Sequence, residues 1–145
     1  MIKRMAVFSL ASIVFWGCKK SGDEVINTPK TMQTIAGNYK ITGILSQYNN
    51  GAQTDYYATM TPACEKDNIH HLQVSGSYTL TDAGVVCSPP SFPMSSGWSV
   101  ANDSMYIGPS AFKIESFDNK TLVIRDKSNV GGGNYLSYTF TYTRQ

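Results

Sequence analysis

The strongest constraint on the fold is a strict alternation of apolar and polar residues near the end of the chain. Residues 136–142 read Leu-Ser-Tyr-Thr-Phe-Thr-Tyr. Because successive side chains of a β-strand point to opposite faces, this order predicts a half-buried strand. Its buried face would carry Leu136, Tyr138, Phe140 and Tyr142, and its wet face Ser137, Thr139 and Thr141. Residues 121–125 form a suitable partner strand, and the glycines at 131–133 supply the positive φ angles of a hairpin loop.

The rest of the chain beyond residue 34 has the same character. Tyr, Thr, Val and Ile dominate, turn residues interrupt the chain every eight to twelve residues, and no stretch shows a 3.6-residue period. These features predict an all-β domain of about eight strands, at residues 39–46, 69–75, 77–81, 97–101, 104–108, 111–117, 121–125 and 136–142. Sequential hairpins close most simply as an antiparallel up-and-down barrel, since closure removes unpaired edges. A two-sheet sandwich is the alternative that strand spacing leaves open.

Length and charge narrow the class of protein further. The chain has 145 residues, enough for one domain with a core, and only 15% of them are charged. Without Lys3 and Arg4, which belong to a segment predicted to be removed, the chain carries ten basic and ten acidic residues. A neutral domain is a poor candidate for binding nucleic acid, so we expect no nucleic-acid partner.

The first residues have the layout of a secretory signal peptide. Lys3 and Arg4 precede thirteen residues, 5–17, that carry no charge, and this run is shorter than the roughly twenty residues of a membrane-spanning helix. Gly17-Cys18 at its end resembles a bacterial lipoprotein signal. The resemblance implies that residues 1–17 are cleaved and that Cys18 carries acyl chains, which would anchor the protein in the envelope of a Gram-negative bacterium, with the outer membrane as the expected site, on its periplasmic or surface face. The alternatives are an ordinary cleaved signal peptide that happens to contain a cysteine and, third, an uncleaved Trp-rich anchor.

A linker is predicted between this anchor and the folded domain. Residues 18–34 are mostly polar, mixed in charge and without an apolar period, which is typical of a flexible tether. The folded domain is accordingly expected at residues 35–145.

Several short motifs in this domain resemble the lipocalin-like domains of bacterial lipoproteins. They are Gly37-Asn38-Tyr39-Lys40, Cys64-Glu65-Lys66-Asp67, Gly76-Ser77-Tyr78-Thr79, Cys87, Gly97-Trp98 and Tyr142-Thr143-Arg144, in that order. In that family an aromatic ring from the first strand crosses the closed end of the barrel, and an Arg from the last strand covers it. The resemblance implies these roles for Tyr39, in place of the family's usual Trp, and for Arg144.

The chain contains three cysteines. With Cys18 acylated, Cys64 and Cys87 are left in an oxidising compartment, and a structural disulfide between them is the favoured prediction. Two buried thiols are the alternative.

Residues that could support catalysis or metal binding are scarce. His70 and His71 are adjacent, so on a strand they would point to opposite faces and could not share a metal ion. Glu65 and Asp67 form the one close acidic pair outside the linker, and the local sequence adds too few oxygens for a calcium site or an acid catalyst. No motif of a known nucleophile, phosphate or dinucleotide site is present. We therefore expect a protein that is not an enzyme and uses no metal or cofactor.

A small apolar or amphipathic ligand is the remaining expectation. Two predicted loops are unusually rich in apolar side chains: one contains Tyr56, Tyr57 and Met60, and the other contains Phe92 and Met94. Such side chains either pack over the barrel end or contact a ligand. An eight-stranded barrel either holds one small ligand or is filled by its own side chains. From the loops and the inward-facing positions we expect ligand contacts from Tyr56, Tyr57, Met60, Phe92, Met94, Trp98 and Tyr138. The alternative is a structural or protein-interaction module of the cell envelope with a filled barrel.

Overall fold

A computed structural model describes residues 28–87 and 95–145 of the chain. Nearly all of its regular structure is β-strand, connected in antiparallel order. The strands are β1 (Gly37–Tyr48), β2 (Gln53–Asp55), β3 (Ile69–Leu72), β4 (Ser77–Thr81), β5 (Ser95–Ala101), β6 (Ser104–Ile107), β7 (Ser110–Phe117), β8 (Thr121–Gly131) and β9 (Asn134–Arg144). Two short helices, α1 (Met32–Ile35) and α2 (Tyr56–Met60), and a 3₁₀ turn (Ala63–Glu65) complete the described elements.

Eight of these strands close into a barrel. Each pairs with the next along the chain, from β3 to β9, and β1 pairs with both β3 and β9. The β1–β9 ladder runs from Tyr39 opposite Arg144 to Tyr48 opposite Leu136. The prediction of an antiparallel up-and-down barrel is therefore confirmed, and the sandwich alternative is excluded.

Side chains fill the part of the barrel near the start of β1 and the end of β9. Tyr39, Met105, Ile114, Leu122 and Ile124 are at most 1% exposed and belong to one core cluster. Ile35, the last residue of α1, is fully buried in the same cluster, so α1 covers the end of the barrel where β1 begins and β9 ends. We call this the closed end.

The closed end begins earlier in the chain than the sequence indicated. Thr28 is buried, and Lys30 donates to the carbonyl of Ile114 and forms an ion pair with Asp103. Thr31 caps α1 through reciprocal hydrogen bonds with Thr34. Part of the stretch 18–34, expected to be a tether, thus packs on the barrel; its polar composition concealed the capping box.

Three details of the strands differ from the expected pattern. A bulge between Ile114 and Ser116 reverses the alternation in β7, so Phe117 rather than Ser116 is buried. Ser137, predicted to be on the wet face, is 1% exposed, and its hydroxyl accepts a hydrogen bond from the Arg125 guanidinium at 3.1 Å. Finally, β2 was not predicted, since its three residues are polar and exposed and are held only by pairing with β1.

Candidate functional site

The barrel opens where β1 changes its pairing partner. On the edge that does not face β9, β1 pairs with β3 only from Gly37 to Tyr39, and further along it pairs with β2 from Leu45 to Gln47. The strands β1 and β3 therefore separate, and α2 follows β2 directly at this gap. Asp55 begins α2 by accepting a hydrogen bond from the amide of Ala58, at 2.9 Å.

A cavity of about 530 Å³ lies in this gap, open to solvent on one side. Its walls come from β1, α2, the loop after α2, β3 and β4. The lining residues are Ile41, Ile44, Tyr56, Tyr57, Met60, Thr61, Pro62, Glu65, Asn68, His70 and Leu80. Its size is within the range of pockets that bind small molecules, roughly 300–1,000 Å³. We call it the lateral cavity.

Apolar and aromatic groups form most of the lateral cavity. Ile41 and Ile44 face it from β1, and Leu80 faces it from β4. The Tyr56 ring contacts Tyr138 edge to face at 5.5 Å between centroids, which holds α2 against the inner face of β9. Met60 is 63% exposed, so an apolar side chain borders the entrance. Such a lining suits an apolar ligand body.

His70 is the one imidazole in the lateral cavity. Its Nδ1 lies 2.9 Å from the hydroxyl of Tyr78, and its ring meets the Tyr142 ring edge to face. Burial, with a smaller contribution from neighbouring His71, lowers the pKa of His70 to about 4. His70 is consequently neutral near pH 7 and contributes hydrogen bonding rather than charge.

His71 lies on the other face of β3. Its two ring nitrogens contact Asn38 Oδ1 and Thr81 Oγ1, at 2.8 and 3.0 Å. Within residues 28–87 and 95–145, no three His, Cys, Asp or Glu side chains are grouped so as to hold a metal ion.

The structure brings together some of the predicted ligand-contacting residues. Tyr56, Tyr57 and Met60 line the lateral cavity, and Tyr138 supports it through Tyr56. Trp98 does not reach it: the indole is 3% exposed in the core and donates to the carbonyl of Gln73, at 2.7 Å. Phe92, Met94 and Cys18 lie outside the described residues.

The predicted ligand contacts include none of the four strand residues that line the cavity, which are Ile41, Ile44, His70 and Leu80. His70 and Leu80 are inward positions of two strands that were predicted, so alternation on β3 and β4 could have indicated them. Thr61, Pro62 and Asn68 come from a loop whose course depends on tertiary contacts, and no local signal identifies them.

Tyr39 and Arg144 meet at the closed end. The guanidinium Nη2 lies 2.7 Å from both the Tyr39 hydroxyl and the carbonyl oxygen of Thr34. The Tyr39 hydroxyl in turn donates to the carbonyl of Ile35, at 2.6 Å. Burial raises the pKa of Tyr39, while the hydrogen bond and charge of Arg144 oppose that rise. The pair thus ties the first and last barrel strands to α1.

The predicted disulfide is confirmed. Cys64 and Cys87 are bonded, with their Cα atoms 5.1 Å apart. The bond joins the 3₁₀ turn after α2 to the segment that follows β4, and so it fixes one wall of the lateral cavity.

No protein-family model matches the chain, and no curated protein matches it. Within the part of the chain that the structure describes, no helix has the length and apolar character needed to cross a bilayer.

Proposed function

We propose that this protein is a membrane-anchored, lipocalin-like binding protein that holds a small apolar or amphipathic molecule without chemical conversion. The observation that carries the proposal is the lateral cavity, whose volume of about 530 Å³ suits a small ligand. Its lining combines apolar and aromatic side chains with the polar side chains of Thr61, Glu65, Asn68 and His70, and this mixture suits an amphipathic ligand.

The anchor belongs to the same proposal. Acyl chains on Cys18 would hold the barrel at the membrane of a Gram-negative cell envelope, each buried methylene contributing about 0.8 kcal/mol. The basic and then apolar order of residues 1–17, ending in Gly17-Cys18, supports this assignment. Cys18→Ser is expected to move the protein from the membrane fraction to the soluble fraction. Continued membrane association of that variant would contradict acylation.

Ligand binding is tested by native mass spectrometry of the full-length chain extracted in mild detergent. We expect a discrete added mass that survives removal of the detergent. Met60→Asp places a charge at the entrance of the lateral cavity and should lower the occupied fraction at least several-fold. Val130→Asp is the matched control, because Val130 is a similarly exposed apolar residue, 52% against 63%, on the β8–β9 hairpin.

One observation favours a second candidate, a structural or interaction module. The barrel is filled by its own side chains near the closed end, where Tyr39, Leu122 and Ile124 are fully buried. Ligand-free spectra in repeated preparations, or equal occupancy in Met60→Asp and the wild type, would favour this module over the binding protein.

A further inference from the structure

A second feature of the wall around the lateral cavity is a concentration of buried oxygens without partners. In the described part of the chain, six buried side-chain polar atoms make no hydrogen bond, and five of them are oxygens from one region. They are Thr61 Oγ1, Asp67 Oδ1, Asn68 Oδ1, Asp82 Oδ1 and Asp82 Oδ2. Buried polar groups in proteins are nearly always paired, so this concentration requires an explanation.

The β3–β4 hairpin brings two of these residues together. Ile69 pairs with Thr81 at the end of the ladder, and Asn68 and Asp82 are the next residues on each side. By alternation Asn68 shares a face with His70, and Asp82 shares one with Leu80. His70, Leu80 and Asn68 line the lateral cavity, and both carboxylate oxygens of Asp82, next to Asn68 across the hairpin, are buried. Asn68 is only 5% exposed, and its unpaired Oδ1 is therefore held inside.

Asp67 and Thr61 border the same corner. The amide of Val85 donates to Asp67 Oδ2 at 2.6 Å, and a Cβ at Gly84 would also lie 2.6 Å from that oxygen. The segment after Asp82 therefore packs closely against Asp67, whose Oδ1 makes no hydrogen bond. Thr61 lines the lateral cavity together with Asn68. The Cys64–Cys87 disulfide joins the two segments that supply these residues.

No described cation balances the two carboxylates. The ion pairs in the described ranges are Lys30 with Asp103 and Lys113 with Glu115. Lys66, adjacent to Asp67 in sequence, has its Nζ 4.9 Å from the centroid of the Tyr57 ring. Asp67 accepts one hydrogen bond, from the amide of Val85, and Asp82 accepts none from the described residues. Burying an ionised carboxylate without a cation is strongly unfavourable.

We propose that this corner, formed by Thr61, Asp67, Asn68 and Asp82, binds one Ca²⁺ ion. All five unpaired donors are oxygens, and carboxylate, amide and hydroxyl oxygens are the ligands that this hard cation takes. Five oxygens approach its usual coordination of six to eight, which carbonyl oxygens or water would complete. The sequence indicated no metal site because Glu65 and Asp67 alone supply too few oxygens. The hairpin register adds Asp82, fifteen residues from Asp67.

The test is calcium titration of the full-length chain in mild detergent after treatment with a chelator. We expect one equivalent of Ca²⁺ to bind, with a dissociation constant on the order of 10⁻⁵ to 10⁻³ M. Saturating calcium should raise the melting temperature by roughly 5–10 °C. Asp82→Asn removes one buried charge with little change of shape and should weaken binding at least tenfold. Glu115→Gln is the matched control, because Glu115 pairs with Lys113 rather than with this corner.

Three results would overturn the proposal. The first is a wild-type chain whose melting temperature does not respond to calcium, and this measurement stands even if a variant fails to fold. The second is an unchanged calcium affinity in Asp82→Asn. The third is an equal loss of affinity in Glu115→Gln, which would show general electrostatic attraction. None of these results bears on retention of a ligand in the lateral cavity, so the two proposals fail separately.

Discussion

Replacement of Arg144 tests how the closed end is held. The Nη2 atom carries two N–H groups, and its two shortest contacts, 2.7 Å each, are the carbonyl of Thr34 and the Tyr39 hydroxyl. The guanidinium also lies 5.3 and 5.7 Å from the centroids of the Tyr39 and Phe117 rings. Hydrogen bonds from a charged donor contribute about 1.5–3 kcal/mol each. Because Arg144 is half-buried, we use the lower value for each of its two shortest hydrogen bonds. We therefore expect Arg144→Met to lower the free energy of unfolding by about 3 kcal/mol.

Two further variants separate geometry from charge. Arg144→Lys retains the charge but loses the planar fork, and should cost about half as much as Arg144→Met. Tyr39→Phe removes the hydroxyl that joins Arg144 to the carbonyl of Ile35, so its cost and that of Arg144→Met should not add. Urea unfolding followed by near-ultraviolet circular dichroism measures each free energy. Lys120→Met, on an exposed turn at the same end, is the control for loss of a cation.

Either of two results would contradict these roles of Arg144 and Tyr39. A loss below about 1 kcal/mol in Arg144→Met would mean that the hydrogen bonds to α1 and Tyr39 are replaced by water without consequence. Full additivity of Arg144→Met and Tyr39→Phe would mean that the two side chains stabilise the closed end independently.

Two other predictions concern stability. The pKa of His70 is about 4 in the folded protein against 6.5 ordinarily, so the unfolded chain alone takes up this proton as pH falls from about 6.5 to 4. The stabilisation from neutral His70 is therefore complete above pH 6.5 and is lost toward pH 4, by about 3 kcal/mol at most. Urea unfolding at a series of pH values measures this loss, and His70→Gln should reduce the dependence of the unfolding free energy on pH between 6.5 and 4. An unchanged pH dependence in this variant would contradict the assignment. The Cys64–Cys87 disulfide closes a separation of 23 residues, so replacing both cysteines with serine should lower the free energy of unfolding by roughly 3 kcal/mol. A melting temperature unchanged in the double variant would count against that contribution.

The barrel was predictable because its information is local. Residues 136–142 alternate strictly, and glycines at 131–133 adopt the positive φ values expected of the hairpin loop. From β3 to β9 each strand pairs with the next along the chain, so turn positions nearly determine the topology of this part. The strand β2 lacks such a signal, because its residues are polar and only β1 holds them in place.

The candidate site was less predictable because alternation reports the face of a strand and not its depth in the barrel. Trp98 and Tyr138 both point inward, yet Trp98 lies in the core and Tyr138 packs on α2 beside the lateral cavity. Depth depends on the stagger between strands, which sequence pattern does not encode. Tyr56, Tyr57 and Met60 were identifiable because exposed loops seldom carry such side chains, although the structure places them in helix α2 rather than in the expected loop.

Strand length explains why the cavity lies where it does. The strand β1 has twelve residues, whereas β3, its neighbour in the closed barrel, has four. Only three pairs join them, so the rest of that edge of β1 lacks a partner from β3. The strand β2 pairs with part of this edge, and it is followed directly by α2, which lies beside the gap. The same mismatch that prevents complete pairing therefore creates the lateral cavity and supplies the aromatic residues that line it.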